Sequence, residues 1–127
     1  MKLVIRGKLA GLNEYIDACR RDPRAGNRMK REAEELVIWS AKASLRGKIP
    51  TPCVMHYTWY EPNRKRDMDN VSAFGRKVIQ DALVKAKHLP GDGWAHIVGF
   101  TDTFMVDRKN PRIEVTFEFK EAKVNEI

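Results

Sequence analysis

Apolar residues come in two spacings along this chain, and the elements it predicts change where the spacing changes. Lys2 to Lys8 read as a short strand, with Leu3, Val4 and Ile5 contiguous and β-branched residues prominent. Gly7 and Gly11 punctuate its exit, and Leu12-Asn13-Glu14-Tyr15 opens a helix with Asn13 as its cap. A pause is expected around Asp22-Pro23 and Gly26-Asn27. From Arg28 to Leu45 the residues Ala33, Leu36, Val37, Ser40, Ala43 and Ser44 recur at three- and four-residue steps. That is the buried stripe of an amphipathic helix, widened by Ile38 and Trp39 and ended by Gly47 and Pro50.

Cys53 to Tyr60, rich in Val, Tyr, Thr and Trp, reads as a strand that Pro62-Asn63 closes. Asp69 or Asn70 caps the next helix, which runs to Lys87 with Val71, Phe74, Val78, Ala82 and Leu83 on its inner face. Pro90-Gly91-Asp92-Gly93 is a tight turn by composition. Trp94 to Val106 reads as a strand and Asp107 to Pro111 as a turn. Ile113 to Phe119 is a strand with Ile113, Val115, Phe117 and Phe119 on one face, and the residues beyond it read as frayed. The order β-α-α-β-α-β-β predicts an α+β fold, one domain over residues 1–127 with helices covering one face of a small mixed sheet.

Length and composition agree with that picture: 127 residues, 43% hydrophobic, suit one domain with a real core. No apolar run approaches the roughly 18 to 20 residues that cross a bilayer. The apolar run after Lys2 stops at Arg6, too short for a signal-peptide core, so a soluble cytoplasmic protein with no membrane partner is expected. Cys19 and Cys53 make no disulfide framework, and both are expected to be buried or indifferent thiols. His56, His88 and His96 stand singly, which excludes a structural zinc site, and no Cys/His/acid or Ser/His/acid grouping supports a nucleophilic mechanism.

Charge adds a partner. Lys plus Arg number 24 against 17 Asp plus Glu, and a net charge of +7 points to a polyanion, nucleic acid first. Nine basic residues lie between Arg20 and Lys48 against four acidic ones. A second run, Arg64-Lys65-Arg66, directly precedes Asp67-Met68-Asp69-Asn70. Where the chain is still extended, residues at i and i+2 share a face, so Asp67 and Asp69 can converge. Mg²⁺ takes oxygen ligands and is commonly held by one or two carboxylates together with substrate phosphate and water. Asp92 supplies a third carboxylate in the turn after the helix that Asp69 opens. The same aspartates are also ordinary cap and turn residues. Arg64, Lys65 and Arg66 are placed to grip phosphates, or form a solvated basic loop. Trp39, Trp59 and Trp94 either stack on bases or fill the core or a dimer interface.

The stretch Arg66-Asp67-Met68-Asp69-Asn70, then Lys77, Asp81-Ala82-Leu83 and Asp92 after Leu-Pro-Gly, resembles the RusA-like Holliday junction resolvases. Leu12-Asn13-Glu14-Tyr15 is similar to that family's Asn-and-Tyr segment after the first strand. The resemblance implies a Mg²⁺-dependent endonuclease, with Mn²⁺ as a substitute, acting as a homodimer on branched DNA by paired nicks in a four-way junction. It implies that Asp67, Asp69 and Asp92 bind metal and that Lys77 is the catalytic lysine and a DNA contact beside Arg64, Lys65 and Arg66. One departure stands out: the span from Asn70 to Asp81 is about four residues longer than in the family, roughly one helical turn. Anchoring on Asp81 selects Lys77, whereas anchoring on Asp69 puts Ala73 in the lysine's place. Lys77 also suits an i,i+4 pair with Asp81. Two other readings remain: a non-catalytic basic nucleic-acid-binding module, and a metal nuclease acting on other branched or flapped DNA.

Overall fold

The computed structural model describes residues 1–121. Residues 122–127, read above as part of the frayed end, lie outside the described residues. The elements follow the expected order: β1 (Lys2–Arg6), α1 (Leu12–Arg21), α2 (Pro23–Ser44), β2 (Cys53–Glu61), α3 (Met68–Lys85), β3 (Ile97–Val106) and β4 (Arg112–Phe119). The fold is an α+β domain with a four-stranded mixed sheet.

Several boundaries move, each for a local reason. The cap of α1 is Gly11 and not Asn13, because the Glu14 carboxylate accepts from the Gly11 N–H at 3.3 Å while the Asn13 N–H is bonded elsewhere. Helix α2 starts at Pro23, before the expected Arg28. Asp22 caps it by accepting from the Arg24 N–H at 2.9 Å, and Pro23 sits in the first turn, where no N–H is needed. Gly26 does not break the helix. It faces Cys19 across the α1–α2 contact, where any Cβ would collide with Sγ. The buried side of α2 runs through Gly26, Glu34, Val37 and Ala41, so the expected stripe is rotated: Leu36, Trp39 and Ala43 face outward. Asp67, and not Asp69 or Asn70, occupies the N-cap of α3. Trp94 belongs to the turn before β3, and its side chain is 93% exposed.

In the sheet the order is β1-β4-β2-β3; β4 is antiparallel to both neighbours, and β2 is parallel to β3 through the α3 crossover. Leu3, Ile5, Met55, Tyr57, Trp59, Ile113 and Val115 line the covered face, against Val37, Ala41, Phe74, Val78, Ala82 and Leu83 from the helices. All five inner-stripe residues expected for α3 are buried. Trp59 is the largest of these buried side chains. Its indole N–H donates to Asp102 at 2.8 Å, and its ring lies so close to Gly75 that a Cβ there would stand 2.9 Å from it. Truncating Trp59 would cost about 3 to 5 kcal/mol. The other face is an open charged lattice in which Lys2, Arg112 and Glu114 pair and His56 bonds Glu118.

Strand direction decides where function can sit. β1, β2 and β3 all end, and β4 begins, at one end of the sheet, since Arg6 pairs with Arg112, Tyr60 with Arg112, and Glu61 with Val106. Helices α1 and α3 both start there. No helix among the described residues is long and apolar enough to cross a membrane.

Candidate active site between two helix N-termini

A pocket of about 350 Å³ opens between the first turns of α1 and α3, lined by Leu12, Asn13, Asp67, Met68, Asp69 and Asn70. Two contacts hold the helices at this spacing. The Asn70 side-chain oxygen accepts from the Asn13 N–H at 2.8 Å, and the same amide packs on Gly11, where a Cβ would come within 2.7 Å of it. Behind them the Tyr15 ring stacks on Phe74 with centroids 4.3 Å apart, so Tyr15 is a packing residue, while Leu12 and Asn13 of that segment line the pocket. The first N–H groups of each helix lack intrahelical partners, so this opening carries partial positive charge.

Asp67 and Asp69 are exposed and flank the opening. Although Asp67 stands at the N-cap, its side chain makes no cap hydrogen bond. Among the described residues neither carboxylate joins an ion pair, so neither is consumed by the structural role its residue type would allow.

Arg66 is anchored. Nε and Nη2 donate to the two oxygens of Glu61 at 2.9 and 3.0 Å, and Nη1 donates to the Leu9 carbonyl at 3.1 Å. Glu14 adds a longer contact at 3.5 Å. Only 14% of the Arg66 side chain and 12% of Glu61 are exposed. The shielded bidentate pair fixes the loop leaving β2 to the end of that strand, the Leu9 bond ties it to the loop leaving β1, and together they aim Asp67 and Asp69. Arg66 therefore braces the site, whereas Arg64 and Lys65 are exposed and make no ion pair among the described residues. Glu61 and Glu14, its partners, are the site residues that the sequence reading missed. An acid at the last position of a strand, five residues before an arginine, was the available signal.

The remaining expected residues lie farther along α3. Lys77 Nζ bonds Asp81 at 2.9 Å and Asp92 at 3.4 Å, while Lys30 from α2 reaches the other oxygen of Asp81 at 3.0 Å. The Asp81 hydrogen bond raises the Lys77 pKa above its usual value, so Lys77 is a fixed cation near neutral pH. Burial alone would raise the Asp81 carboxyl, but hydrogen bonds from Lys77 and Lys30 hold it below its ordinary value. Asp92 is thus brought to Lys77 and not to the pocket. Among the described residues no group of three or more His, Cys, Asp or Glu is close enough to hold a metal ion. The pocket instead presents two oxygen-donor carboxylates, a set that suits Mg²⁺ completed by phosphate and water.

No protein-family model matches this chain, and no curated protein matches it.

Proposed function

We propose that this chain is a Mg²⁺-dependent endodeoxyribonuclease that acts in the cytoplasm on branched DNA, resolving four-way junctions by paired nicks as a homodimer. The observation that carries the reading is the state of Asp67 and Asp69: two carboxylates at a helix N-terminus that line an open pocket, Asp67 with no side-chain cap bond and neither in an ion pair among the described residues. The resemblance to the RusA-like resolvases over Arg66 to Asp92 supports it, and so does the charge of +7.

Asp67 and Asp69 would hold the metal, with Mn²⁺ as a substitute. When bound, such an ion supplies an acidified water and offsets charge on the phosphoryl oxygens. The chain does the rest. The positive ends of the two helix dipoles favour an incoming phosphate, and Arg64 and Lys65 add cationic contacts beside the pocket. Lys77, held protonated by Asp81, is suited to steady negative charge and unsuited to accept a proton. Asp92, the family's third aspartate by resemblance, would reach the metal only by leaving Lys77. The homodimer draws support from β3: its outer edge has no strand partner among the described residues and exposes Val98, Phe100, Met105 and Val106.

A labelled four-way junction and a matched linear duplex, each with Mg²⁺ or EDTA, test the proposal beside Asp69→Asn. Expected is Mg²⁺-dependent paired nicking of the junction alone, absent in the variant. Tight junction binding with no nicking in Mg²⁺ or Mn²⁺ would instead identify the non-catalytic binding module, the reading favoured by Asp92 standing apart from the other two aspartates. Nicking of flapped DNA and not of junctions would move the substrate.

A further inference from the structure

Three loops that are far apart in the chain meet at the end of the sheet where the pocket opens. Arg6 and Lys8 lie at and after the end of β1, Arg64 and Lys65 after β2, and Arg108 and Lys109 between β3 and β4. All six are exposed, and among the described residues none makes an ion pair. Only Arg64 and Lys65 sit next to the aspartates in sequence. The other four arrive there because β2 lies between β3 and β4, so the β3–β4 connection must pass over the end of β2 to reach β4 beside β1.

That connection is built to hold its shape. The Asp107 N–H donates to the Glu61 carbonyl at 2.8 Å, and the Gly7 N–H donates to the Pro111 carbonyl at 2.8 Å. Gly7 takes a φ of +82°, so the chain can turn away from β1 while keeping that bond. One Asp107 oxygen accepts from the Lys109 and Asn110 N–H groups at 3.2 and 3.1 Å; the other is taken by Arg112 at 2.9 Å. The local acid is thereby neutralised by Arg112 and the turn backbone, which leaves Arg108 and Lys109 uncompensated on a rigid support.

We infer that Arg6, Lys8, Arg108 and Lys109 form a phosphate-gripping rim that seats one duplex arm of the branched DNA against the pocket. The inference rests on the nuclease reading above and deepens it. From β1 across β4 and β2 to β3 is three strand spacings, about 14 Å, which spans about four phosphates of one strand at roughly 3.4 Å each. Cations on a fixed frame bind with little ordering cost, and they grip the backbone without reading sequence. This suits an enzyme that must recognise an arm by shape.

The test is the salt dependence of binding to a fluorescein-labelled four-way junction, measured in EDTA so that metal-dependent nicking is absent. Arg6→Gln/Lys8→Gln and Arg108→Gln/Lys109→Gln are compared with Arg46→Gln/Lys48→Gln, an equal charge change in the α2–β2 loop at the opposite end of the sheet. Each rim pair should lower the magnitude of the log–log salt slope by about 2 and weaken binding about tenfold at moderate salt, with the circular dichroism melt unchanged. The control pair should change neither.

Rim variants that bind like the wild type, which itself nicks in Mg²⁺, would overturn the rim and leave the nuclease standing. A control pair as damaging as the rim pairs would also overturn it, as general charge attraction. The stated slope change without nicking by any form in Mg²⁺ or Mn²⁺ would sustain the rim and remove the nuclease. No junction binding by the wild type would overturn both.

Discussion

Asp69 and Asp81 stand on the same helix, roughly three turns apart, in opposite surroundings. Around Asp81, α2 brings Lys30 and α3 itself brings Lys77, which in turn holds Asp92. Around Asp69 and its neighbour Asp67 no side-chain cation is bound among the described residues, and Arg66, next to Asp67 in sequence, is turned back onto Glu61. The helix start supplies diffuse positive character there in place of a partner. One acidic region is closed by the chain's own lysines, while the other stays open to whatever enters the pocket. Residue type did not make that difference; the elements packed alongside did.

The strongest way to break the comparison is at the open pair. Asp67→Asn or Asp69→Asn should lower Mg²⁺-dependent nicking by about 1000-fold or more and leave the melting temperature almost unmoved, since neither carboxylate supports the fold. A matched fall in melting temperature would mean that they do. Next is the brace. Arg66→Ala strands the shielded Glu61 and should cost about 3 kcal/mol, read as a lower denaturation midpoint at an unchanged denaturant slope. Asp92→Asn comes third: with Asp92 held by a largely exposed lysine, nicking should fall less than about tenfold. A loss equal to that of Asp69→Asn would show that Asp92 leaves Lys77 to work at the pocket, and the contrast between the two regions would fail.

The smallest effect is a pH dependence. The Asp81 pKa is lowered in the folded chain, so its contribution is fully present above the ordinary carboxyl value of about 3.9 and is lost as pH falls below it. Lys77, raised by the same pairing, contributes fully below its ordinary value of about 10.4 and loses that contribution as pH rises through the folded value. Melting curves of wild type and Asp81→Asn should therefore differ most between these limits, by less than about 1 kcal/mol, and converge in acid. A difference that grows in acid would contradict the pairing.

Much of this was legible in the sequence, and the exceptions have a common cause. The α3 stripe could be read because helical spacing is a local property, and Val71, Phe74, Val78, Ala82 and Leu83 are all buried. Asp67 and Asp69 could be singled out because two residues suffice to define them. The face of α2 could not, because Gly26 is there to meet Cys19 and Glu34 is buried against α3, where Lys85 pairs with it. The pairing of Asp92 with Lys77 could not be read because nothing local says which way a glycine-rich turn folds back. The clustering of Arg6 and Lys8 with Arg108 and Lys109 depends wholly on strand order, which hydrophobic alternation does not encode.

Strand β1 pairs along its whole length with β4, Lys2 opposite Thr116 and Arg6 opposite Arg112. On the ribosome β1 must therefore wait for β4, which follows it by about a hundred residues. At about 5 to 20 residues per second the delay is on the order of 5 to 20 seconds. For that interval Leu3 and Ile5 have no sheet to join, and β2 carries Tyr57 and Trp59 with the β4 side of its ladder unfilled. A chain that stops before Arg112 therefore leaves Leu3 and Ile5 without the strand that buries them in the sheet.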